Sequence, residues 1–160
     1  MIHEGTPEFR EKYYDVSWPE FHRDVRKLGN LVQSRGPWKG IIAVTRGGLV
    51  PAGILSRELN IRHVDTVCIK TYEEEKNCPP EILKGIDHDG DGWLVIEDLV
   101  DTGNTCKILR EMLPKACLAA VYAKPQGKPL ADITAVDVAQ NKWILLPWEV
   151  AIHPADPLWG

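Results

Sequence analysis

Two rhythms of apolar positions run along this chain. Phe21, Val25, Leu28 and Val32 stand three or four residues apart, the spacing that lines one face of a helix. Ser17-Trp18-Pro19-Glu20 ahead of them has the form of a helix start. Ser17 can cap, Glu20 can complete a capping box, and Pro19 lacks the amide hydrogen that would find no partner there. Gly36-Pro37 ends this helix. Gly40-Ile41-Ile42-Ala43-Val44 is instead a continuous apolar run after a glycine, the signature of a strand buried on both faces. A tight loop, Thr45-Arg46-Gly47-Gly48, leads to a second helix with Pro51 near its start and Ile54, Leu55 and Leu59 along it.

The rhythms then alternate. His63 to Ile69, rich in Val, Ile and Thr, predicts a strand. Trp93-Leu94-Val95-Ile96 predicts another, running directly into Glu97-Asp98. A third helix follows Thr105, with Ile108, Leu109, Met112 and Leu113 on one face, and a further strand runs from Ala116 to Ala123, ending at Lys124-Pro125. Tyr13 to Val16 suits a short edge strand. Between them, Tyr72 to Gly85 is charged and then broken by Pro79-Pro80, which predicts a long mobile loop. Repeated strand–helix alternation predicts an α/β fold with a mostly parallel sheet and right-handed crossovers. In such sheets ligands bind beyond the carboxyl ends of the strands. Thr45–Gly48, Glu97–Thr105 and Lys124 all fall there.

Composition narrows the picture. A chain of 160 residues, 44% apolar and 26% charged, has the length and balance of one globular domain. No apolar run approaches the roughly 20 residues that span a bilayer, and the polar, mixed-charge stretch Met1–Asp15 does not have the form of a signal peptide. A net charge of −4 weighs against nucleic acid as a partner but leaves room for a small anionic ligand at a local site. Cys68, Cys78, Cys106 and Cys117 share no Cys-x-x-Cys spacing, which predicts reduced thiols in a cytosolic protein. His3, His22, His63, His88 and His153 are scattered without metal-ligand spacing. Asp87-His88-Asp89-Gly90-Asp91-Gly92 carries the first half of a calcium-loop pattern, but its twelfth position is Asp98 and an apolar strand follows, so it reads as a polar turn.

The chemistry concentrates in Leu94-Val95-Ile96-Glu97-Asp98-Leu99-Val100-Asp101-Thr102-Gly103-Asn104-Thr105. Two adjacent acids close a strand, a third lies three residues on, and a small hydroxyl-bearing loop opens a helix. Backbone amides and hydroxyls of Thr102–Thr105 at a helix start form an anion site for a phosphate monoester. No lysine precedes the last hydroxyl residue, which excludes a Walker loop. Ionised Glu97 and Asp98 only accept, which suits sugar hydroxyls or hydrated Mg²⁺. In Thr45-Arg46-Gly47-Gly48 the glycines let backbone amides approach a ligand and Arg46 adds positive charge. Lys124 carries only donors, so it can recognise an oxo group and not an amino group. In Asn141-Lys142-Trp143-Ile144-Leu145-Leu146-Pro147-Trp148, Trp143 offers an aromatic face for stacking, while Trp148 suits core packing.

The acid string resembles the phosphoribosyl pyrophosphate (PRPP) signature of type I phosphoribosyltransferases. With Trp38-Lys39-Gly40-Ile41-Ile42-Ala43-Val44, Arg57-Glu58-Leu59, His63-Val64-Asp65-Thr66-Val67-Cys68-Ile69, Ala123-Lys124-Pro125 and Pro147-Trp148, the chain resembles the bacterial xanthine-guanine members, from about Lys12 to Trp148. The resemblance implies the type I fold as one domain over 1–160, with a core at about 17–124 and a small C-terminal hood at about 125–160 joined by the strand at 13–16. It implies purine salvage: transfer of 5-phosphoribose from PRPP to N9 of guanine, xanthine or hypoxanthine, giving GMP, XMP or IMP and pyrophosphate. By the resemblance, Asp98 serves Mg²⁺ and, with Glu97, the ribose; Arg46 and Gly47 receive the pyrophosphate, in the family often through a strained peptide at the position of Arg46. Leu99, Val100, Asp101, Thr102, Gly103, Asn104 and Thr105 cradle the 5′-phosphate. Asp101 faces purine N7, Lys124 binds O6, Trp143 stacks, and backbone groups of Trp143 and Ile144 read the 2-substituent. Asp101 and Arg46 are the catalytic candidates. A homotetramer or dimer in the cytoplasm is implied, some relatives associating peripherally with the inner membrane.

Two positions depart from the family pattern. Glu97 stands where an aspartate is usual, and Cys78 stands where the family places an arginine against PRPP, with Lys76 nearby. The C-terminal stretch Ala151–Gly160, with Trp159, also matches poorly. A regulator on the same fold would need an added nucleic-acid-binding domain; the segment ahead of Gly40 is too short for one, and the chain's net charge is −4. Lys124 argues against adenine as the base, and the aromatic at the hood against orotate.

Overall fold

The computed structural model describes residues 6–71 and 79–149. The expectations at Lys76, Cys78, Ala151–Gly160 and Trp159 lie outside these residues, as does the first half of the loop expected from Tyr72 to Gly85. A short helix α1 (Pro7–Lys12) precedes β1 (Tyr13–Asp15), and α2 (Trp18–Gln33) follows. Then come β2 (Gly40–Thr45), α3 (Leu49–Glu58), β3 (Val64–Lys70), β4 (Glu81–Lys84), β5 (Trp93–Val100), α4 (Asn104–Met112), β6 (Cys117–Ala123), β7 (Ile133–Asp137) and β8 (Trp143–Leu145). Six strands form one sheet in the order β4-β3-β2-β5-β6-β7, all parallel except β4, which runs antiparallel to β3. β1 and β8 pair in parallel as a separate two-stranded sheet. Sequence reading therefore anticipated the α/β alternation and the mostly parallel sheet.

Each element obeys its local chemistry. Ser17 caps α2 with both halves of the capping box formed, the Ser17 backbone N–H donating to Glu20 Oε2 at 2.9 Å. Phe21, Val25, Leu28 and Val32 are fully buried, as their spacing predicts. They pack on Ile41, Ala43, Leu94 and Ile96 of the central strands, while Ile42, Val44 and Val95 face a second cluster with Leu109 and Leu113. The adjacent positions thus point to opposite faces, and helices cover both, which is why these strands are continuously apolar. One polar group enters the first layer: the Tyr122 hydroxyl donates to buried Asp24 Oδ2 at 2.8 Å, and Arg23 bonds the other oxygen. Trp148 packs against Phe21 with ring centroids 4.9 Å apart, as core packing requires.

Four features differ from the sequence reading. Glu81–Lys84, expected within the loop, is strand β4. All four residues are exposed, so no burial alternation marked it; Lys84 Nζ tethers it to β3 through Asp65 Oδ1 at 2.6 Å. α1 went unread because its six residues bury only Phe9 and show no repeated apolar spacing, although Thr6 accepts from the Phe9 N–H and Pro7 opens the helix. β5 continues through Glu97 and Asp98 to Val100, and α4 begins at Asn104, capped by Gly103 rather than following Thr105. β7, in the segment assigned to the hood from 125, pairs with β6 in the central sheet, so only the part beyond it lies with β1. The Asp87–Gly92 segment is a turn knit by its own side chains, Asp89 Oδ1 accepting from the Asp91 N–H. Among the described residues, no helix is long and apolar enough to cross a membrane, and Cys68, Cys106 and Cys117 are free thiols. Burial, with the charge of Glu97 adding, pushes the Cys106 thiol up to about 11, so it stays protonated.

Candidate functional site

Strand β5 ends the apolar core and begins the site. Its neighbours β2 and β6 stop at Thr45 and Ala123, so the segments beyond these three strands meet at one edge of the sheet. Glu97 and Asp98 lie on β5 itself, half-buried. Burial raises the Glu97 carboxyl well above its usual range, and the adjoining charge and hydrogen bond of Asp98 add to this. Burial also raises Asp98, although its own bonds to Glu97 and to the Leu99 N–H, at 2.7 Å, oppose the rise. Two desolvated carboxylates side by side resist full ionisation until a cation or a donor reaches them.

The Thr45–Gly48 loop closes over Asp98. A Cβ on Gly47 would fall 2.2 Å from Asp98 Oδ2, so only glycine lets the loop backbone lie on this carboxylate. A Cβ on Gly48 would meet the carbonyls of Ile96 and Val44 at 2.4 and 2.6 Å. The Thr45–Arg46 peptide bond is cis, and the Arg46 side chain is exposed at the rim. On the other side, Gly103 takes φ +86° and caps α4 with no side-chain bond. The first amides of α4 therefore face outward at the positive end of the helix dipole, beside Thr102 and Thr105, an arrangement suited to an anion.

Asp101 and Lys124 come together although 23 residues apart: Lys124 Nζ donates to Asp101 Oδ2 at 2.9 Å. The lysine side chain is only 6% exposed and the carboxylate 47%, so the ammonium is held from below and the acid opens toward the site. Gly127 makes this approach possible, because a Cβ there would strike the Asp101 carbonyl at 2.6 Å and Val100 Cγ1 at 2.5 Å. Sequence reading missed Gly127 and also Gln140, whose Nε2 donates to Asp101 Oδ1 at 2.8 Å. No local signal marked either; both matter through contacts with loops distant in sequence. Trp143 and Ile144 stand on β8, Trp143 62% exposed and Ile144 buried. Register pairs them with Tyr13 and Tyr14 of β1, and Gln140, three residues before Trp143, ties this small sheet to Asp101. A broad groove lined by Trp38, Lys39, Arg62 and His63 opens at the opposite ends of β2 and β3, away from these residues.

A mostly parallel sheet whose strand ends carry an acid pair, a glycine loop and a helix start without a side-chain cap defines a class of nucleotide-handling α/β enzymes. The family model for the phosphoribosyl transferase domain matches residues 16–154, and the chain belongs to this family. The chain is 52% identical over 145 residues to the xanthine-guanine phosphoribosyltransferase of Chromohalobacter salexigens, covering 91% of this chain and 89% of that one. Among solved structures it is similar to a purine phosphoribosyltransferase from Pyrococcus horikoshii, with a TM-score of 0.74 and 26% identity over 85% of this chain and 93% of that chain. It is also similar to the Helicobacter pylori xanthine-guanine-hypoxanthine phosphoribosyltransferase, with a TM-score of 0.71 and 25% identity over 86% and 94% of the two chains.

The carboxylate pair yields a stability prediction. Because folding raises the Asp98 pKa, the native state holds more protons than the unfolded chain between the two values. The contribution of Asp98 to stability is therefore largest at acid pH and falls as pH rises through that window. Asp98→Asn keeps an oxygen for the Leu99 N–H and removes one charge beside Glu97. Metal-free Asp98→Asn is expected to melt a few degrees above the wild type at neutral pH, each kcal/mol being worth roughly 2–4 °C in a chain this size. The gap is expected to close toward acid pH, and a melting point below wild type at neutral pH would contradict this account.

Proposed function

We propose that the protein is a purine salvage enzyme that transfers 5-phosphoribose from PRPP to N9 of guanine or xanthine, and of hypoxanthine, releasing pyrophosphate. The observation that carries the choice of base is the Lys124–Asp101 pair, a buried ammonium beside a carboxylate at 2.9 Å. A 6-oxopurine presents at its O6/N7 edge one acceptor and, in the N7–H tautomer, one donor. The pair offers a donor and an acceptor in the same order. A 6-aminopurine would set its amino donors against an ammonium, leaving polar groups unpaired. The names of the relatives favour the same bases.

The mechanism follows from the arrangement. The 5′-phosphate is taken by the backbone amides and hydroxyls of residues 102–105, with Leu99 and Val100 at the end of β5 and Asp101 beyond it supporting them. Glu97 and Asp98 accept the ribose hydroxyls. Arg46 and the Gly47 backbone receive the pyrophosphate. The C1′–O bond to pyrophosphate loosens toward an oxocarbenium-like state, and purine N9 attacks from the opposite face. Asp101 at N7 assists loss of the base proton. Trp143 stacks on the base, and the backbone of Trp143 and Ile144 reads its 2-substituent.

The residues fit Mg²⁺ as cofactor. Among the described residues no group of three or more His, Cys, Asp or Glu could enclose a metal. Mg²⁺ is commonly held by one or two carboxylates together with water and substrate phosphates, and two desolvated carboxylates gain from a cation. Asp98 would hold it, and when bound it supplies charge neutralisation for the departing pyrophosphate. A homo-oligomer, dimer or tetramer, in the cytoplasm completes the proposal, and rests on family resemblance.

Initial rates with guanine, xanthine, hypoxanthine and adenine at fixed PRPP test the reading. Product from the three oxopurines and little from adenine is expected. Preference for adenine, or failure of the protein to bind PRPP in calorimetry with magnesium, would overturn it.

A further inference from the structure

Gln140 is clamped at both ends of its amide. Its Oε1 accepts the backbone N–H of Gln126 at 3.0 Å, and its Nε2 donates to Asp101 Oδ1 at 2.8 Å. The first bond dictates the second: with the carbonyl oxygen committed to an N–H, only the amino group can face the carboxylate. Asp101 is thus held on separate oxygens, by Gln140 on Oδ1 and by Lys124 on Oδ2. Neither oxygen can turn without breaking one of these bonds. The two donors come from different parts of the fold. Lys124 follows β6 of the central sheet, whereas Gln140 lies in the turn that leads to β8 and Trp143.

We infer that Gln140 is a positioning residue for the transfer: it fixes the rotation of the Asp101 carboxylate and couples it to the segment carrying Trp143. This rests on the reading above, in which Asp101 faces purine N7. The coupling has a use. A carboxylate held by Lys124 alone could swing about that single bond, and a proton acceptor displaced by a fraction of an ångström loses much of its effect. Gln140 also carries the constraint to the hood, so that the stacking face and the proton acceptor keep one spacing while a base enters. PRPP is held by the backbone amides and hydroxyls of residues 102–105, by Glu97 and Asp98 and by the Thr45–Gly48 loop, and the Gln140 amide bonds none of these, so PRPP binding should not sense this residue.

Two substitutions separate positioning from a structural role. Gln140→Leu removes both bonds. Gln140→Glu keeps the length and still accepts the Gln126 N–H, but sets a carboxylate against Asp101 Oδ1. Steady-state kinetics with guanine and PRPP, with magnesium present, are expected to show kcat lowered roughly 10–100-fold in Gln140→Leu. Gln140→Glu should be lowered at least as far, with KM for PRPP little changed in both. In the Asp101→Asn background Gln140→Leu should cost little more, because the group it positions is already gone. Recovery of wild-type kcat in Gln140→Glu would mean that the Gln126 bond alone matters and would overturn the inference, as would full additivity with Asp101→Asn. If Asp101→Asn itself retained full turnover, the reading beneath would fall as well; a damaged Asp101→Asn beside an unaffected Gln140→Leu would sink only the role of Gln140.

Discussion

Asp101→Ala is expected to lower kcat with guanine by roughly 10²–10⁴-fold, the range for removing a positioned proton acceptor, while the protein still folds. The expectation comes from where the group sits. Asp101 follows the last residue of β5, between that strand and α4, and belongs to neither hydrophobic cluster. Its carboxylate is half-exposed, yet both oxygens are tied, to Lys124 and Gln140. A half-exposed carboxylate can meet its charge with water and the Lys124 ammonium, so stability alone does not account for the second tie to Gln140. It is better explained by a need for one orientation. Truncation does leave the Lys124 ammonium without its carboxylate, and some loss of melting temperature should accompany the loss of turnover. Circular dichroism melts alongside initial rates distinguish the two effects. Near wild-type turnover in a folded Asp101→Ala protein would remove Asp101 from the chemistry.

Lys124→Met is expected to reduce kcat/KM for guanine by on the order of 10²-fold, in line with the roughly 1.5–3 kcal/mol carried by a hydrogen bond to a charged group. Methionine preserves the length and flexibility of a side chain that is almost wholly buried, so packing is disturbed little. The selective signature is the ratio of guanine to adenine. An ammonium in this position favours O6 and opposes a 6-amino group; methionine does neither, so the ratio should fall toward unity as the guanine rate falls. KM for PRPP should hold, because the lysine lies among the residues assigned to the base. An unchanged ratio would mean that discrimination comes from the backbone of β8 and not from this side chain.

Much of the fold was legible because its signals are local and repeated. The capping box at Ser17, the helical spacing from Phe21 to Val32, and the glycine-bounded run at 40–44 each specify an element without reference to anything distant. The acid string was legible for a related reason: it is contiguous, so strand, acids, anion loop and helix start are read in one pass. Elements lacking such signals were missed. β4 is exposed throughout, and β7 lies in the stretch from 125 that the family resemblance assigned to the hood.

The sequence by itself thus determined that a parallel α/β sheet would present an acidic, glycine-flanked anion site at its strand ends, because short-range periodicity and capping dictate these elements. Only the tertiary structure decided what the site residues touch. That Gly47 lies on Asp98, that Lys124 meets Asp101, and that Gln140 bridges Asp101 to the small sheet are contacts between segments separated by dozens of residues in most cases. Such contacts depend on sheet order and loop closure, and neither leaves a trace in the spacing of apolar and polar residues along the chain.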